Sequence, residues 1–145
     1  MMIPKRGVLR LTPAQLTKFY AKIDDRDLNR DQRTGELLAV AEHHHRQYRS
    51  RGGSDVASNV ITLRGPGNTQ GSHGWAHTSR EAILFGYSIP SFVENPEDVP
   101  IKLLHPENGL VWTILRNDFS SGFMTERDAR HRMRDLGIWR DGEAA

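Results

Sequence analysis

The chain has 145 residues, with 20 Lys and Arg against 18 Asp and Glu, a formal charge of +2 and a pI near 9.2. That length predicts one domain, and a hydrophobic share of 37% predicts a thin core. The absence of cysteine excludes disulfides and thiolate metal sites, no apolar run approaches a membrane span, and Met1 to Arg10 lacks the apolar stretch of a secretory leader, so a cytoplasmic protein is expected.

Thr12-Pro13-Ala14-Gln15 predicts a helix start. Thr12 suits the N-cap, Pro13 the first helical position, and Gln15 can close a capping box. Leu16, Phe19, Tyr20 and Ile23 recur at helical spacing and give this helix one apolar face. Asp24 to Gly35 is a charged loop. Leu37 to Ala41 is short and apolar and predicts a strand leading into His43-His44-His45. The loop Arg46 to Ser58 contains Gly52-Gly53, which permit a tight bend. Asn59 to Leu63 predicts a second strand by its β-branched content.

Gly65-Pro66-Gly67-Asn68 marks a turn, and a short helix follows that carries His73 and His77. Thr78 with Glu81 predicts a further helix start, and Gly86 a helix stop. Ser88 to Pro100, with Pro90, Pro96 and Pro100, reads as an extended wrap. Ile101–Leu104 and Leu110–Leu115 predict a hairpin. Thr125 and Asp128 can cap a last helix with Ala129, Met133 and Leu136 on one side, and the tail after Trp139 reads as loose.

Two histidines four apart, His73 and His77, lie about one turn apart on one helix face. Such a pair can chelate one metal ion. Adjacent residues on a strand point to opposite sides, so one of His44 and His45 can face that ion while the other faces the space beside it. Three imidazoles leave open metal positions, as catalytic zinc sites do. A fourth imidazole that is not a ligand can take a proton from water, because it is mostly neutral near pH 7.5.

In residue type, order and spacing, Glu42-His43-His44-His45-Arg46, Arg51-Gly52-Gly53-Ser54-Asp55, Ser58-Asn59-Val60-Ile61-Thr62-Leu63 and Gly71-Ser72-His73-Gly74-Trp75-Ala76-His77 resemble the HNH or ββα-metal nucleases. The likeness extends to the colicin DNases and is nearer to the small HNH proteins of bacteriophages and their bacterial hosts. It covers residues from about 42 to 92.

The resemblance implies a ββα-metal (HNH) core over about 37–92; with the predicted N-terminal helix and the predicted C-terminal β-hairpin and helix, the expected fold is α+β, with 93–140 packed on or beside that core. It implies His44, His73 and His77 as metal ligands, His45 as general base, and Asn59 as the residue that ties the loop and orients the base. The implied activity is metal-dependent DNA endonuclease action, nicking or weakly sequence-specific, leaving a 5′-phosphate and a 3′-hydroxyl. The alternative is a non-catalytic DNA-binding or phage-assembly module on the same scaffold.

One divalent ion is expected. Three imidazoles favour zinc or nickel over magnesium, although the family accepts several metals, magnesium and manganese included. DNA is the expected partner, with phage packaging machinery as another, and the chain is expected to be a monomer or weak dimer. Many relatives carry cysteine pairs around a structural zinc. Here Arg64 and Ser72 stand about where such cysteines fall, so the N-terminal helix and C-terminal hairpin are expected to supply packing instead.

Arg46, Arg49 and Arg51 flank the expected base and read as phosphate contacts or as a solvated loop. Arg127, Arg130 and Arg134 could form a second basic stripe, diluted by Glu126, Asp128 and Asp135. His43 reads as solvated or as a neighbour of a ligand. Trp75 and Trp112 read as core, and His105 and His131 as surface residues.

Overall fold

The computed structural model describes residues 7–67 and 70–140. The leader reading for Met1 to Arg10 falls largely outside them, as do Asn68 of the predicted turn and the tail from 141 onward. The described residues form a mixed α+β structure with four α-helices and two small antiparallel sheets. No helix among them is long and apolar enough to cross a membrane.

Helix α1 (Pro13–Arg26) starts as its sequence dictates. The Thr12 hydroxyl accepts from Gln15 N, and the Gln15 side chain accepts from Thr12 N, so two otherwise orphaned donors are satisfied. Phe19 and Ile23 are buried against Ala57 and Val60. The chain then turns through Leu28 and Asn29, both left-handed.

The expected strand at Leu37–Ala41 does not form. Leu37 makes only an isolated bridge to Arg30, and Leu37 and Val40 are 65% and 80% exposed. An apolar run that meets no core surface gains nothing by extending. The strand lies instead at β1 (Glu42–His45), paired antiparallel with β2 (Val60–Leu63) from Glu42 opposite Leu63 to His45 opposite Val60.

Every residue of β2 is buried, in keeping with its β-branched Val60, Ile61 and Thr62 followed by Leu63. Val60 packs against α1, while Ile61 and Leu63 face a cluster that contains Ala76, Tyr87, Ile101 and Leu103. The remaining edge of β2 is covered by the loop after α1: Thr62 N donates to Asp27 Oδ2 at 2.8 Å, and Gln32 N to Thr62 O at 3.2 Å.

Helix α2 (Gly71–Thr78) follows after a very tight return. Gly71 has φ +61°, and a Cβ there would lie 2.6 Å from Gly65 O, so only glycine fits. His73 N donates to Arg64 O at 2.9 Å and ties the helix to the end of β2. Helix α3 (Arg80–Leu84) is capped by Ser79, whose hydroxyl accepts from Glu81 N, and not by Thr78 as expected. The Thr78 hydroxyl instead donates back to Gly74 O and finishes α2.

The segment from Ser88, expected to be extended, is broken by a turn at Ser91 and Phe92, where Val93 N donates to Pro90 O at 3.1 Å, and by a 3-10 turn at Pro96–Asp98. The expected hairpin is the first part of a three-stranded meander, β3 (Ile101–His105), β4 (Gly109–Leu115) and β5 (Ser121–Met124). Strand β5 contains Gly122 and is only 4 residues long, so it carries too little pattern to be read alone. Helix α4 (Glu126–Asp135), capped by Thr125 as expected, buries Ala129 and Met133 against Trp112, Ile138 and Trp139. Trp112 is core, as read from sequence, whereas Trp75 is half-buried beneath Arg33, whose guanidinium lies 4.0 Å from the ring.

Candidate metal centre

Strand alternation and helix spacing bring three imidazoles together. His44 points inward from β1 and is 0% exposed. His73 and His77 project from one face of α2. One nitrogen from each of the three lies within 4.8 Å of the others.

Hydrogen bonds select which nitrogens converge. His44 Nε2 lies 2.6 Å from Tyr87 O and can only donate to it, which leaves Nδ1 with a lone pair, buried and unpartnered. His73 Nδ1 lies 2.8 Å from Glu42 Oε1 and donates to that carboxylate, which turns the Nε2 lone pair toward the cluster. The arrangement is that of a metal-ligating histidine whose outer nitrogen is anchored by a carbonyl or carboxylate.

His73 Nε2 and His77 Nε2 are 3.3 Å apart. Two nitrogens each about 2.0–2.1 Å from a tetrahedral zinc ion would stand about that far from one another. The donor set therefore fits a divalent transition ion.

Electrostatics also fit, since ligands must be neutral. Burial pushes His44 down to about 3, opposed by the Tyr87 carbonyl and assisted by its neighbouring histidines. Burial and then the proximity of His73 lower His77. The Glu42 carboxyl is lowered first by its bond to His73 and then by Gly67 N. Tyr48 stacks on His77 with ring centroids 4.7 Å apart and 15° between planes, and so holds that imidazole's ring plane.

His45 takes no part in the cluster. Its Nε2 lies 2.8 Å from Asp55 Oδ1, and its ring lines an open cleft with His43, Tyr48, Arg49, Ser50, His73 and His77. Burial lowers its pKa despite the opposing pull of Asp55.

Asn59 is 0% exposed and pins the loop that follows β1. Its Oδ1 accepts from Gln47 N at 2.7 Å, and its Nδ2 donates to Gln47 O and Ser54 O at 3.0 Å each. Gly53 must be glycine here, since a Cβ would meet Gln47 O at 1.8 Å.

Arg46 is a correction to the expected phosphate contacts. It is 0% exposed. Its guanidinium donates inward to the carbonyls of Gly86, Ser58 and Val99 at 2.7–2.8 Å, with Pro96 O at 3.5 Å. Alternation along β1 carries it to the same inner side as His44, away from any ligand.

Arg49 and Arg51 remain at the surface. Arg49 is paired with Asp55 at 3.3 Å, and the Arg51 guanidinium lies 4.9 Å from the Tyr48 ring centre. His43 is neither a ligand nor free: its Nε2 meets Asp24 Oδ1 at 2.7 Å and its ring stacks on Tyr20 at 4.1 Å. Arg130 and Arg134 lie over Trp139, and Arg130 pairs with Glu126 at 3.2 Å.

Four contributors escaped the sequence reading: Glu42, Tyr48, Asp55 and the Tyr87 carbonyl. Only Glu42 carried a signal, as an acidic residue directly before the histidine run. A backbone carbonyl leaves none. Comparison with family models, with curated proteins and with solved structures found no match.

Proposed function

We propose that the chain is a metal-dependent DNA endonuclease of the HNH type, with β1, β2 and α2 as its ββα-metal core. The observation that carries this reading is the pairing of two kinds of histidine in one cleft: three whose free nitrogens converge and one, His45, that borders the same space but bonds elsewhere. A purely structural metal site is usually closed by four protein ligands, and the convergent group among the described residues has three.

His44, His73 and His77 would hold the ion, with zinc or nickel favoured by the nitrogen donors and magnesium or manganese as alternatives. A divalent ion there would supply Lewis-acid stabilisation of charge at the scissile phosphate and its leaving oxygen. His45 takes a proton from the attacking water. Asn59 keeps the loop behind that histidine in place. Arg49, which lines the cleft, and Arg51, over the ring of the cleft residue Tyr48, receive the DNA backbone. The proposed setting is the cytoplasm of a bacterial or phage-infected cell.

Plasmid nicking by the purified protein, with each metal in turn, tests the reading. His45→Ala is expected to keep the metal and lose nicking by at least about a hundredfold, as removal of a positioned base does. Loss of the metal in that variant would mean His45 is itself a ligand. Unchanged nicking would remove it from the reaction.

A further inference from the structure

The loop from Arg49 to Asp55 is strapped from outside by the segment that precedes α1. Leu9 N donates to Ser54 Oγ at 3.0 Å, and Asp55 N donates to Leu9 O at 2.9 Å. The Arg10 guanidinium donates to the carbonyls of Gly53 and, at 2.9 Å, Arg49. Leu11 N donates to Asp55 Oδ2 at 2.9 Å.

One of these bonds, from Leu11 N, reaches the Asp55 carboxylate itself; the others hold the loop around it. That carboxylate is 0% exposed in its side chain. Its other oxygen, Oδ1, is 2.8 Å from His45 Nε2. Arg49 adds contacts at 3.3 Å to Oδ1 and 3.4 Å to Oδ2. A buried carboxylate in such a position is an obligate acceptor. Among the described residues the hydrogen bond of the His45 ring is made through Nε2, and the ring lines the cleft.

We infer that Asp55, held by the Leu9–Leu11 strap, is a positioning residue that fixes His45 as the Nε2–H tautomer and leaves the Nδ1 lone pair for the cleft. The carboxylate acts only through the imidazole. It touches neither the convergent nitrogens nor the cleft surface. The inference deepens the nuclease reading and rests on it for its catalytic meaning, but the tautomer itself can be measured without DNA.

Asp55→Asn is the informative substitution. An amide has one oxygen where the carboxylate has two. With that oxygen accepting from Leu11 N, the NH2 group faces His45 Nε2, which must then accept, so the proton moves to Nδ1. Long-range 1H–15N imidazole spectra of the zinc-loaded full chain at pH 7.5 read this directly. The wild type is expected to show His45 as the Nε2–H form and Asp55→Asn to show it shifted to the Nδ1–H form. Zinc affinity is expected to stay within about threefold, and nicking to fall about 10–100-fold, as loss of an orienting partner does.

An unchanged tautomer in Asp55→Asn overturns the inference. So does an Nδ1–H form in the wild type, a result that needs no variant to fold. If the tautomer switches as expected but the wild type nicks no plasmid with any metal, the positioning role stands and the nuclease reading falls.

Discussion

The two sides of β1 hold their polar side chains by different means. On the inner side, His44 and, one position past the strand, Arg46 are 0% exposed and bonded to backbone carbonyls: Tyr87 O for His44, and those of Gly86, Ser58 and Val99 for Arg46. On the outer side, His43 and His45 are each bonded to a carboxylate, Asp24 and Asp55. A carbonyl fixes where a proton sits but adds no full charge, and burial keeps His44 neutral, with its pKa lowered to about 3. A carboxylate stabilises the imidazolium formed when a base takes a proton. Alternation along one short strand thus separates the histidine of the convergent cluster from the proposed base.

The largest expected effect is on the inner side. Removing the Arg46 side chain leaves buried carbonyls without donors, each worth about 1–3 kcal/mol when unsatisfied, and opens a cavity. Arg46→Ala is expected to lose at least about 3 kcal/mol of stability in urea unfolding, whereas Arg51→Ala at the rim is expected to change it by less than about 0.5 kcal/mol. Equal effects would erase the distinction between the two sides.

A smaller effect tests the neutrality of His44. Its folded-state pKa, lowered to about 3, lies below the unfolded value near 6.5. Between those values the unfolded chain binds the extra proton, so stability is present above pH 6.5 and is lost as pH falls toward 3. His45 and His77, also lowered, act in the same direction. Chelator-treated protein is expected to be less stable at pH 5 than at pH 7.5 by about 2 kcal/mol from His44 alone. Stability that is flat over that range would mean His44 takes up its proton as readily in the fold as in the unfolded chain, so that burial does not hold it neutral.

What was legible in the sequence follows from how locally each feature is determined. The cap of α1 depends on Thr12 and Gln15 alone, and both were readable. The convergence of His44, His73 and His77 depends on strand and helix periods together with a family resemblance, and it too was readable. The strand before the histidines was misplaced because Leu37 and Val40 are apolar yet find no core to cover. Arg46 was misread for the converse reason: its charge suggests a surface, and only the tertiary arrangement of carbonyls from four distant positions reveals a buried role. Asp55 stands ten residues from His45 in sequence, and nothing local declares that the loop brings them together.

The smallest effect concerns the rim and divides the two arginines that remain there. Each lysine or arginine that neutralises a DNA phosphate releases counterions, so log affinity falls with log salt, by about 0.9 per contact. Arg51 lies over Tyr48 and has no carboxylate partner among the described residues. Its full charge is available to a phosphate, and Arg51→Ala is expected to shallow the salt slope by about one unit. Arg49 already shares its charge with Asp55 at 3.3 Å, so DNA must compete with a buried carboxylate for it. Arg49→Ala is expected to change the slope by less than Arg51→Ala does. A catalytically silenced His45→Ala background keeps the DNA intact during titration. If Arg49 proves the stronger contributor, Asp55 does not hold it in the bound state, and the carboxylate is then shared differently between His45 and the rim. If neither arginine alters the slope, the rim of this cleft does not carry the DNA backbone.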